Sequence, residues 1–163
     1  PYDCGIVFSR DREALINSFR ATGSYLHYSE NREPMDYAPS MSKRARAIEL
    51  WAILKTLGRE GVADLVAQLC NHAKYFSKQL ANAGFEIHNK VVFNQVVVSG
   101  KDDEETNEIL RQVQASGECW CGGTHWRGRD AIRLSVCSWA TTREDIDRSV
   151  TAFVKARDAS RCR

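Results

Sequence analysis

The apolar period of the chain alternates between 2 and 3.6 from residue 85 onward, and that rhythm leaves few folds open. Two short strand-like runs, 85–88 and the valine-rich 91–98, precede "KDDEETNEILRQVQASG". That segment reads as a helix with acids at its positive end and Gly117 just past its close. Two more runs, about 119–126 and 131–137, flank "RGRD", a hairpin turn. Thr141 and Glu144 then have capping-box spacing ahead of a stripe through Ile146, Val150 and Phe153. The order β-β-α-β-β-α with short connections predicts an α+β layer: a small, mostly antiparallel sheet with helices packed on it.

Long helices lead into this unit. Val62, Leu65, Leu69, Ala73, Phe76 and Leu80 form an i/i+3/i+4 stripe that Gly84 closes. An earlier stripe through Ala47, Leu50, Trp51, Leu54 and Leu57 is capped by Ser40 or Ser42, and Gly58 and Gly61 break it. Between 21 and 41 periodicity disappears, in a stretch of Gly, Pro, Asn and three tyrosines. So long a segment without its own structure is either functional or disordered, and its tyrosines argue against disorder. Upstream, residues 4–8 read as a short buried strand, and Asp11 caps a brief helix carrying Leu15, Ile16 and Phe19.

The charge balance, 23 Lys and Arg against 21 Asp and Glu, gives no reason to expect nucleic acid or a membrane surface as partner. The longest wholly apolar run, 50–54, is far too short to span a bilayer. Six cysteines are irregularly spaced without any C-x-x-C, and no export signal is evident. They read as reduced thiols of an intracellular, cytoplasmic protein. The start at Pro1, directly before a strand-like run, suggests a piece of a longer chain.

Three groups of residues invite a chemical reading. Cys119, Cys121, His125 and Cys137 could offer zinc four ligands, but C-x-C on a strand lacks the turn spacing of structural zinc sites. The competing reading places Cys119, Cys121 and Gly123 on one strand face as core filler, with Trp120 and Gly122 opposite; no metal is expected. Lys43, Arg44 and Arg46 at a helix start read as a solvated end, or as partners for an anion held by the helix N–H groups. Arg133, alternating with Ile132 and Leu134, is either exposed or aimed at an anion in a cleft.

Five stretches, in order and covering nearly the whole chain, resemble the C-terminal portion of PLP-dependent group II amino-acid decarboxylases, of aspartate-aminotransferase-type fold. They are "PYDCGIVFSRD", "SYLHYSE", "MDYAPSMSKRARAIELWAILKTLGREGV", "VVFNQVVV" and "GTHWRGRDAIRLSVCSWATTREDID". The resemblance implies that 1–41 is the end of a PLP-binding large domain plus a catalytic loop. It implies that 42–163 is a helical connector and a small C-terminal domain. The lysine that carries PLP in this family would lie upstream of Pro1, and none of the seven lysines present has its context. The expectation is therefore an intact enzyme that releases CO2 and an amine, and an isolated piece that is inactive.

The resemblance also supplies residue roles. Tyr25 matches the tyrosine of the family's mobile catalytic loop, where a phenol is a weak acid suited to protonating Cα after CO2 leaves. Phenylalanine at that position goes with aldehyde synthases, the alternative within the superfamily. Ser42 matches a position that approaches the PLP phosphate of the neighbouring subunit in a homodimer. Arg133 matches the strand arginine that holds the substrate carboxylate in related aminotransferases. A zinc or interaction module without catalysis is the alternative from another class.

Overall fold

The computed structural model describes residues 4–21, 23, 24, 26, 31–40 and 44–162. It divides into two compact units, Pro1–Gly58 and Arg59–Arg163.

In the first unit, residues 4–9 run without strand pairing, and Ile6, Val7 and Phe8 are exposed. The buried strand expected at 4–8 is thus not formed. β-Branched residues favour extended backbone, but a strand needs a partner, and none lies among the described residues of this unit. Helix α1, Arg12–Phe19, starts where Asp11 accepts a hydrogen bond from the Ala14 N–H at 2.9 Å, as its sequence predicts. Its half-buried Leu15, Ile16 and Phe19 form the expected stripe. A 3₁₀ turn, Pro34–Tyr37, packs beside α1.

Helix α2, Ala47–Asn82, begins seven residues after Ser40, too far for that serine to cap it, and Ser42 lies outside the described residues. The helix is interrupted at Gly58, where φ is 63° and ψ is −172°, a region open almost only to glycine. No atom lies within 4 Å of a Cβ built there, so backbone conformation rather than space demands the glycine. Gly61, expected to break the helix too, continues it.

In the second unit, strands β1 (Glu86–Ile87), β2 (Gln95–Ser99), β3 (Gly122–Trp126) and β4 (Arg129–Ser135) pair antiparallel in the order β1-β2-β4-β3. Helices α3, Asp103–Ser116, and α4, Arg143–Arg161, follow β2 and β4. This is the α+β layer that the apolar rhythm predicts. Val96, Val98, Ile132, Leu134 and Val136 meet Phe76 and Leu80 of α2, Ile109 and Val113 of α3, and Ile146 and Phe153 of α4. Phe153 stands edge-on to Phe76 and Phe85, with centroids 6.4 and 5.8 Å away. Such contacts add about 1 kcal/mol each to the area that these rings bury.

The helix ends follow local chemistry. Asp102 caps α3 through the Glu105 N–H, and Gly117 ends it at φ 71°. Thr142 and Asp145 form the capping box of α4, one residue beyond the expected Thr141–Glu144. Adjacent threonines and acids let either register satisfy the pattern. Arg127 and Gly128, both at positive φ, make the two-residue turn between β3 and β4.

Candidate functional site

Tyr25 and Ser42 lie outside the described residues, so the site begins with Arg133. Antiparallel pairing sets Arg133 opposite Val97 on one side and Gly122 on the other. Its neighbours Ile132 and Leu134 point into the core, which turns the guanidinium to the opposite face of the sheet, where it is exposed. Around it the surface is low: Gly122 has open space at its missing Cβ, and Ala131, Val97 and Ser135 are small or medium-sized. Among the described residues no carboxylate pairs with Arg133. A planar fork of donors over a flat, small-residue floor can hold a carboxylate by two parallel bonds.

The same face carries a polar group that the sequence does not announce. Arg129 reaches Glu86 at 3.1 Å and the Lys101 carbonyl at 3.1 Å. His88 Nε2 lies 2.8 Å from Ser99 Oγ, and that hydroxyl donates to the Gly100 carbonyl at 2.9 Å. Because Ser99 has one proton and spends it on Gly100, His88 must donate from Nε2, which leaves Nδ1 toward Glu86 at 3.8 Å. Glu86 and Ser99 are paired across β1 and β2, so the signal lay in strand register rather than in any motif.

The conspicuous cysteines serve packing. Cys121 is buried, Cys119 packs partly buried against the same core, and burial pushes the Cys121 thiol up to about 12 and raises Cys119 as well. His125 turns away to Asp130 at 3.1 Å, and Cys137 is exposed. Gly123 lets α3 approach closely, since a Cβ there would sit 3.0 Å from Leu110 Cδ2. Gly122 has no such neighbour, and Trp120, just before β3 begins at Gly122, is 80% exposed. A cavity of about 370 Å³ near Cys119, Trp120 and Ser149 is not lined by Arg133.

The basic cluster is partly spent. Arg44 bonds Glu49 at 2.7 Å, so the cation answers the acid of the first helical turn.

The profile of the pyridoxal-dependent decarboxylase conserved domain matches residues 1–101. The chain belongs to this family. The aromatic-L-amino-acid decarboxylase of Drosophila melanogaster is 26% identical over 162 residues, 96% of this chain and 32% of that protein. The 3,4-dihydroxyphenylacetaldehyde synthase of the same fly is 27% identical over 153 residues, 90% of this chain and 30% of that protein. The crystal structure of Oryza sativa TDC with PLP and tryptamine superposes with a TM-score of 0.83 at 19% identity, over 93% of this chain and 34% of that one. The likeness in fold agrees with the α+β reading, and the chain spans about a third of the length of the curated relatives it matches.

A pyridoxal cofactor needs an amine for its aldehyde and cations or helix N–H groups for its phosphate. The six described lysines of this decarboxylase-family chain, 55, 74, 78, 90, 101 and 155, are all exposed, unlike the desolvated amine such chemistry uses. The described residues therefore fit the anionic end of a cofactor or substrate, through Arg133, and do not fit the aldehyde.

Proposed function

We propose that this chain is the C-terminal part of a PLP-dependent amino-acid decarboxylase, with 1–41 closing a large domain and 42–163 forming a connector and small domain. The family match across residues 1–101 carries the reading. PLP, when bound, supplies the electron sink that lets CO2 leave Cα. The PLP lysine would belong to a part of the enzyme upstream of this chain. The chain's own contribution is the proton. Tyr25 delivers its phenolic hydrogen to Cα in place of the lost carboxylate and regains one from water, giving the amine. Arg133 is assigned to the substrate carboxylate and Ser42 to the phosphate bound in a neighbouring subunit.

A homodimer is part of the proposal, supported by the exposed apolar side chains Ile48, Trp51, Leu54 and Leu57 on the first part of α2. A cytoplasmic location is proposed from the reduced thiols; among the described residues no helix is long and apolar enough to cross a membrane.

The likeness to an aldehyde synthase keeps a second outcome in view, in which an aldehyde forms in place of the amine. Expression of the complete coding sequence and assay with aromatic L-amino acids separates the two. We expect amine and CO2 as products. Tyr25→Phe should lower amine output about 100-fold, within the usual range for a general acid, and raise aldehyde. Unchanged amine output would remove Tyr25 as the proton donor.

A further inference from the structure

The segment that contains Tyr25 is bracketed by side chains that reach for one another. On its N-terminal side stand Arg12, in α1, and Arg20, the residue that ends α1 with its N–H on the Ile16 carbonyl. On its C-terminal side stand Arg32 and the 3₁₀ turn, which the Asp36 N–H closes onto the Glu33 carbonyl at 3.1 Å.

Two links join the sides. Arg20 Nη2 lies 3.4 Å from Asp36 Oδ2, across 16 positions. Arg12 Nε donates to the Tyr37 phenol oxygen at 2.6 Å, across 25 positions. The Tyr37 ring also meets two guanidiniums, Arg32 at 4.4 Å from its centroid and Arg12 at 5.9 Å.

Burial distinguishes this from a surface ion pair. Asp36 is 4% exposed, the one fully buried residue among the described residues of its unit, and its Oδ1 has no hydrogen-bond partner. Burying a half-satisfied carboxylate is unfavourable unless the surroundings hold it there. A side chain kept in such a place, between α1 and the 3₁₀ turn, points to a positional task. Stability alone would be served as well by an apolar residue.

We propose that Arg20–Asp36 and Arg12–Tyr37–Arg32 form a clasp that ties the end of α1 to the 3₁₀ turn, the two described flanks of segment 21–31. The clasp thereby positions the proton donor carried by that segment. Asp36 and Tyr37 are positioning residues, since neither needs to touch substrate. The proposal rests on the reading of Tyr25 given above, and its test is built to separate the two. Reaching one carbon with one phenolic proton demands placement to within a fraction of an ångström, so a slack segment costs rate and specificity more than substrate affinity.

The test uses the complete PLP-loaded enzyme with Asp36→Asn, Tyr37→Phe and Tyr37→Leu, and Tyr25→Phe as the control. Two readouts are taken: chymotrypsin cleavage within 21–31, and kcat, KM and the amine-to-aldehyde ratio. Asp36→Asn keeps volume and loses charge. Tyr37→Phe keeps the cation stack and loses the phenol acceptor, and Tyr37→Leu loses both.

We expect cleavage to rise about tenfold for Asp36→Asn and Tyr37→Leu, and less for Tyr37→Phe. The amine-to-aldehyde ratio should fall in the same order, with KM within about twofold of the parent. If Tyr25→Phe leaves the ratio unchanged, the proton-donor reading fails, and the cleavage arm still decides whether the clasp exists. Wild-type cleavage in Asp36→Asn and Tyr37→Leu overturns the clasp. Faster cleavage with an unchanged ratio, where Tyr25→Phe does shift it, overturns the positioning role.

Discussion

Glu105 is buried in the first turn of α3 and accepts from Arg161 Nε at 2.6 Å and from the Lys101 N–H at 2.7 Å. Burial by itself raises its pKa; the Arg161 hydrogen bond, the Lys101 N–H and the two charges outweigh it and hold the carboxyl below its usual 4.5. A carboxyl with a lowered folded pKa adds stability that is complete above its unfolded value and lost as pH falls through the folded one. The acid limb of unfolding, below about pH 4.5, should therefore flatten in Glu105→Gln. Glu105→Ala should cost about 3 kcal/mol at pH 7 by denaturant titration, since it orphans the Lys101 N–H and frees Arg161. Gly100→Ala tests the same contact from outside, because its Cβ would lie 2.6 Å from Glu105 Oε2 and must push the carboxylate away. The sequence places an acid where the helix dipole favours one; a partner 56 positions downstream is not legible there. Arg133 is the opposite case. Strand alternation alone puts it on the outer face, because its neighbours are unambiguous core residues.

Elements were legible wherever the determinants are local. Asp11 and Gly117 mark helix ends by their own chemistry, and the structure uses both. Elements whose determinants are distant were not legible. Residues 4–8 have the composition of a strand but pair with nothing described. The β3–β4 turn yields a prediction at this scale. Arg127 sits at φ 50°, where a side chain is strained, and Gly128 follows at φ 85°. Two-residue hairpins of this kind favour Asn-Gly or Gly-Gly. Arg127→Gly or Arg127→Asn should raise stability by about 0.5–1 kcal/mol, seen as a higher thermal midpoint. An unchanged or lower midpoint would mean that the Arg127 guanidinium over the Trp126 ring, 5.9 Å from its centroid, is worth as much as the strain.

At the scale of the molecule, burial is uneven. Every fully buried apolar side chain among the described residues lies between Ala73 and Ala156. The described part of the first unit buries none and exposes Ile6, Val7, Phe8, Trp51 and Leu54. This explains why pattern reading served the second unit better, since its apolar stripes find their partners within the chain. Surface of this kind, with Trp51 62% and Leu54 49% exposed, binds whatever apolar face is offered. Trp51→Glu with Leu54→Glu should cut dye binding and self-association of the 163-residue chain, and leave the thermal midpoint of the 73–156 core within about 2 °C. In the proposed homodimer of the complete enzyme the same pair should move sedimentation from dimer toward monomer, with loss of activity if Ser42 serves a site in the neighbouring subunit. A complete enzyme that stays dimeric with this double change would place the subunit contact elsewhere than on the first part of α2.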